Sequence, residues 1–177
     1  LVDDSLQLAS GTLLTSLGAF QQGRCFVQDP AATLVTRYAA VPAGATFRQG
    51  TYTDTEAVAG LLETERIEAI LHCAARSLVG ESGRDPAKYY RDNVAGGVAL
   101  LEAARTSGVQ RIVFSATAAV YGVPDAPPIP EDAPLRPINP YGETKRTFEG
   151  ALRWYGAAYG LRSVTLRYFN VAGATDT

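Results

Sequence analysis

Short, uninterrupted apolar runs alternate along this 177-residue chain with longer stretches in which apolar positions recur every three or four residues. That alternation predicts strands separated by helices, the signature of βαβ units around a parallel sheet. Residues 25–29, closed by Pro30, read as one strand and residues 46–49 as a weaker one. Thr53-x-x-Glu56 has the form of a capping box and opens a helix with Val58, Leu61 and Leu62 on one face. Residues 69–74 are short and uniformly apolar, as a strand buried on both faces should be. Asp85-Pro86 caps a long helix that carries Leu100, Leu101 and Ala104 and stops near Gly108. Residues 111–115 form the clearest strand. Asn139-Pro140 starts a helix from Tyr141 to about Tyr159 that Gly160 ends, and residues 163–169 make a last strand. Segment 1–24 has weak periodicity.

Composition narrows this picture. Hydrophobic residues at 46% and charged residues at 19% are values of a globular chain. Sixteen Lys+Arg against eighteen Asp+Glu leave no basic footprint for nucleic acid, and no apolar run reaches the roughly 20 residues of a membrane span. One histidine with Cys25 and Cys73 excludes a disulfide scaffold and a Cys/His zinc site, so no metal is expected. So few cysteines suit a reducing cytoplasm. Seven of the ten prolines lie between Pro124 and Pro140, which makes that stretch an extended, structured loop. The chain starts at Leu1 and holds no Met, as expected of a piece of a longer product.

The candidate chemistry centres on Tyr141 and Lys145. At i and i+4 they project from one face of the same helix, near its N-terminus. A phenol has an unperturbed pKa near 10, and an adjacent ammonium together with the positive end of a helix dipole lowers it. Such a tyrosine exchanges protons with an alcohol near neutral pH. Thr117 lies just past strand 111–115, at the carboxyl end where open α/β sheets bind ligands, and 24 residues before Tyr141. A hydroxyl there can bond the same substrate oxygen.

A Ser/Thr after a strand followed by Tyr-x-x-x-Lys resembles the extended short-chain dehydrogenase/reductase family. Four segments resemble its UDP-glucose 4-epimerase branch: His72 through Ser82, the Tyr89-Tyr90-Arg91-Asp92-Asn93-Val94 helix, Glu131 through Lys145, and Leu166 through Ala174. The resemblance implies a Rossmann-like, doubly wound parallel sheet with helices on both faces and the C-terminal substrate domain largely absent. Residues 1–177 are then one NAD-binding and catalytic domain, with 1–50 atypical and 170–177 opening the truncated substrate region. It implies a bound NAD that takes a hydride from C4 of a UDP-sugar, Tyr141 removing the C4 hydroxyl proton to give a 4-keto intermediate. Lys145 would bind the nicotinamide ribose and help hold Tyr141 ionised, while Thr117 would bond the C4 oxygen. Asp29, Ala74, Ala75, Asn93, Ser115 and Tyr168, with Tyr141 and Lys145, would line the cofactor site, and Asn170 would contact the substrate. A homodimer through helices 85–107 and 141–159 is implied too. Where related dehydratases carry an Asp-Glu pair after the threonine, Ala118-Ala119 stand here. Epimerisation is therefore expected rather than dehydration.

The family's glycine-rich turn is expected near positions 6–12, and this chain reads Leu-Gln-Leu-Ala-Ser-Gly-Thr there. Thr51 stands where the family has an aspartate for the adenine. Three explanations compete: an altered N-terminal register, a homologue that no longer binds NAD, or an unusual loop that binds it more weakly. Among the remaining side chains, His72 reads as a packed residue and Cys73 as a core residue. Arg162 and Arg167 read as solvent-facing, and Trp154, Tyr155 and Tyr159 as core or dimer contacts. The pair Gly96-Gly97 inside a helix predicts close approach of another helix or of the sheet, because glycine there costs about 1 kcal/mol relative to alanine.

Overall fold

The computed structural model describes residues 13–15, 24–27, 47–124 and 126–169. Six strands run parallel: β1 (Leu13–Thr15), β2 (Arg24–Val27), β3 (Phe47–Gln49), β4 (Ala69–His72), β5 (Arg111–Thr117) and β6 (Arg162–Tyr168). Their order across the sheet is β3-β2-β1-β4-β5-β6. The order reverses between β1 and β4, and a doubly wound sheet binds ligands at such a switch point, beyond the carboxyl ends of its strands.

The helices are α1 (Thr55–Thr64), α2 (Val79–Arg84), α3 (Pro86–Tyr89), α4 (Gly96–Thr106) and α5 (Pro140–Tyr159). The N-cap of α1 is Asp54, whose side chain accepts from the Ala57 amide at 3.0 Å, one residue later than the Thr53 box suggested. Asp85 and Asn139 cap α3 and α5 as expected, accepting from the amides of Lys88 at 3.1 Å and Gly142 at 2.8 Å. Gly160, at φ 74°, ends α5 in the left-handed conformation that glycine adopts without strain. The short helix α2 was not foreseen, because six residues are too few to show a period.

The long helix expected from Asp85 is interrupted. A π-helical segment, Tyr90–Ala95, joins α3 to α4 and brings Asp92 and Asn93 into the interior. Directly after it, Gly96 and Gly97 meet close neighbours, as their sequence predicted. A Cβ on Gly97 would lie 2.5 Å from Phe148 Cε2, and one on Gly96 would lie 2.8 Å from Thr53 Cγ2.

Strand β5 alternates: Ile112, Phe114 and Ala116 are buried, while their neighbours are only half-buried. The buried set joins Val58 and Leu62 of α1, Leu100 and Leu101 of α4, and Phe148 and Leu152 of α5 in one core. The helices α1, α4 and α5 thereby pack on the Phe114 face of the sheet, which presses α5 onto β5. His72 stands beside Phe114 across the β4–β5 pair, with ring centroids 5.7 Å apart and planes at 20°. Tyr52 and Phe148 meet the same imidazole edge-on, at 5.3 and 5.4 Å. His72 is the packed residue the sequence suggested, and Cys73, beyond it, is half-buried rather than core. Among the described residues no helix is long and apolar enough to cross a membrane.

Candidate active site

Strand β5 ends at Thr117 in extended backbone, and a 3-10 turn, Ala118–Tyr121, follows at once. The Thr117 side chain caps that turn, its Oγ1 accepting from the Ala119 amide at 3.2 Å. The hydroxyl proton stays available to donate. Against the turn lies the first turn of α5, and contact is tight because residue 142 is glycine. A Cβ there would come within 2.7 Å of the Ala119 carbonyl oxygen. Tyr141, half-buried, precedes this contact by one residue. Asn139 and Pro140 set the helix start, so capping fixes where the phenol is placed.

One turn further along α5, Lys145 is only 4% exposed. Its Nζ donates to the Ser115 carbonyl at 2.8 Å and lies 4.6 Å from the centroid of the Phe114 ring. Burial brings the ammonium down to about 8, against smaller opposing contributions from Cys73 and Glu149. Burial and then the charge of Lys145 bring His72 down to about 3, so the imidazole beneath the site is neutral. Thr117, Tyr141, Lys145 and Ser115 are thus brought together at the carboxyl end of β5.

The other expected site residues fall into four groups. Ala74 and Ala75 follow β4 after Cys73, Ala74 buried and Ala75 half-buried. Tyr168 pairs with Thr117 across β5–β6 and is 41% exposed. Asp29 and Asn170 lie outside the described residues.

Asn93 bridges two segments of the chain through its side-chain amide. Its Oδ1 accepts from the Arg76 amide at 2.7 Å, and its Nδ2 donates to the Arg76 carbonyl at 3.0 Å and to Thr144 Oγ1 at 3.1 Å. Thr144 Oγ1 in turn donates to the Tyr141 carbonyl at 2.8 Å. Asn93 therefore ties the loop after β4 to the first turn of α5. Asp92 reinforces the tie through an ion pair with Arg76 at 2.8 Å. A side-chain amide inside a helix gives no hint of such a role in sequence.

Arg167 departs from its expected solvent-facing place. Its guanidinium makes a forked pair with Glu149 of α5, at 3.1 and 2.8 Å, and donates to Tyr121 Oη at 2.8 Å and the Glu131 carbonyl at 3.2 Å. It links the 3-10 turn, the proline-rich loop and α5. Arg162 is exposed as expected. Tyr155 packs on the core, whereas Trp154 is 67% and Tyr159 55% exposed.

The N-terminal half of the site differs from expectation in register. Strand β1 is Leu13–Thr15, so a turn leading from it does not fall at positions 6–12. Residues 6–12 and 16–23 lie outside the described set. The connection is eight residues long by sequence, short of the ten to twelve that a crossover with its helix takes. At the carboxyl end of β5 the buried Lys145 cation and the hydroxyls of Thr117 and Tyr141 make a donor set that fits a nicotinamide cofactor. The pyrophosphate end of such a site, which is built after β1, lies outside the described residues.

Residues 17–177 match the family model described as NAD dependent epimerase/dehydratase family. The UDP-glucose 4-epimerase of Lactobacillus helveticus is 50% identical over 137 residues, 77% of this chain and 42% of that relative. That of Streptococcus mutans serotype c is 50% identical over 144 residues, 80% of this chain and 43% of the relative. The crystal structure of UDP-glucose 4-epimerase from Brucella ovis in complex with NAD superposes with a TM-score of 0.85 at 36% identity, over 94% of this chain and 54% of that one. The chain spans less than half the length of these curated relatives and about half of that solved chain. The family model covers most of the chain, and the chain belongs to the NAD dependent epimerase/dehydratase family.

Proposed function

We propose that this chain is the cofactor-binding and catalytic half of a UDP-hexose 4-epimerase acting in the cytoplasm. The observation that carries the reading is the Lys145 ammonium held on the Ser115 carbonyl at 2.8 Å, one helical turn from Tyr141 and at the strand end that Thr117 closes. Tyr141 takes the proton of the sugar's C4 hydroxyl, and Thr117 donates a hydrogen bond to the same oxygen. Ala74, Ala75 and Lys145 would hold NAD, a hydride acceptor and donor through which C4 passes as a ketone and is rebuilt in either configuration. Ala118 and Ala119 offer no acid–base pair after Thr117, which disfavours loss of water. In a coupled assay of UDP-glucose and UDP-galactose, Tyr141→Phe should abolish interconversion, a loss of at least about a hundredfold. Turnover close to that of the parent would refute the role of Tyr141.

Pairing with a second copy through helices 85–107 and 141–159 belongs to the same proposal. Trp154, Tyr159 and Tyr90 support it, being large, apolar and exposed on those segments. Light scattering should give twice the chain mass, falling to one on Trp154→Glu. A second reading, a folded domain that pairs but does not turn over, is favoured by the eight-residue connection between β1 and β2.

A further inference from the structure

Lys145 is buried at the site, yet its neighbourhood contains more than the Ser115 carbonyl. The Phe114 ring lies 4.6 Å from Nζ and is 1% exposed. A cation over an aromatic face is attracted by the ring quadrupole, and the attraction grows when both groups leave water. The direction of this ring is fixed by its own neighbours. Phe148 meets it edge-on at 4.7 Å and 68°, and His72 lies nearly parallel to it at 5.7 Å. Phe148 is in turn held by the bare backbone of Gly97. The ring is thus the end of a packed column running from α4 to the ammonium.

We propose that Phe114 is a positioning residue for Lys145: its ring face and the Ser115 carbonyl together hold the charged ammonium at the carboxyl end of β5. The inference rests on the reading of Lys145 as a site residue, and it deepens that reading by naming what keeps the cation in place. A leucine in the same position would fill the core but offer no quadrupole. The ionisable groups around the ammonium are His72 from β4, Cys73 just after it and Glu149 from α5. His72 is neutral, and Glu149 is shared with Arg167. None of them replaces the ring.

Lys88 and Lys145 are the only lysines in the sequence, so the test is direct. The 177-residue chain, labelled with ¹³Cε-lysine, gives two side-chain signals whose pH titrations are followed by NMR. Lys88, paired with Glu81 at 2.6 Å, serves as internal reference. Replacing Phe114 with 3,4,5-trifluorophenylalanine keeps the shape of the ring but drains charge from its face. The Lys145 midpoint should fall by about one pH unit in that variant and in Phe114→Leu, with Lys88 unmoved. An unchanged Lys145 midpoint in the folded trifluoro variant overturns the proposal. If Phe114→Leu fails to fold, the trifluoro variant decides alone. The titration needs neither cofactor nor sugar. Failure of the epimerase reading would instead appear as absent NAD binding with the Lys145–Phe114 coupling intact.

Discussion

Lys145 shows how a site residue works against the stability of the fold that holds it. Burial lowers its pKa from 10.5 to about 8, so near neutral pH the folded chain carries a cation it would rather lose. The folded state binds fewer protons than the unfolded chain between those two values, so stability rises as pH climbs from about 8 to about 10.5. At pH 7 the charged, buried ammonium costs about 3 kcal/mol by this linkage. Lys145→Met removes that cost but leaves the Ser115 carbonyl without its partner, a loss of about 1 kcal/mol. The variant should therefore be more stable than the parent by about 1–2 kcal/mol at pH 7, and its urea midpoint should no longer share the parent's rise above pH 8. A variant less stable than the parent at pH 7 would show that the ammonium is not under strain from burial.

Among the elements, α5 was legible because its signals are local: a cap at Asn139, a proline at the first turn, Gly160 at the end and the i, i+4 spacing of Tyr141 and Lys145. The strand β5 was legible for the same reason, by its apolar run. The π segment was not, because a widened turn depends on what Asp92 and Asn93 reach across the fold, and sequence spacing does not contain Arg76 or Thr144. Arg167 escaped likewise: alternation along a strand reports which face a residue takes, not that a guanidinium finds Glu149 and Tyr121 there. The glycine pair lay between these cases, since an unfavourable residue in a helix predicts a close neighbour without naming it. The neighbour is now Phe148, which makes a paired test possible. Gly97→Ala forces the buried Phe148 ring to move and should cost about 1–3 kcal/mol despite better helix propensity. Gly60→Ala in α1 meets open space and should add about 0.5–1 kcal/mol. Denaturant unfolding of both variants reads the contrast, and equal effects would mean that Phe148 does not constrain residue 97.

For the whole molecule the question is whether the two ends of the cofactor site work as one. The carboxyl ends of β4 and β5 carry small, hydroxyl and cationic groups, where the core presses α5 onto the sheet. Only eight residues, by contrast, connect β1 to β2. Because NAD spans both ends, its affinity sums over them, and a ligand that binds only the folded state stabilises it by RT ln(1 + [L]/Kd). At a hundred times Kd that is about 2.7 kcal/mol, or about 5–10 °C in melting temperature for a chain of this size. If both ends bind, NAD in the millimolar range should raise the melting temperature by that amount. Tyr141→Phe should keep most of the shift, because it removes a hydroxyl and leaves Lys145 on the Ser115 carbonyl. If no shift develops at several millimolar, the chain holds the catalytic end alone, and the reading as a paired, non-turning domain replaces that of an enzyme. The Tyr141→Phe arm separates these outcomes from simple loss of chemistry, since binding is read without turnover.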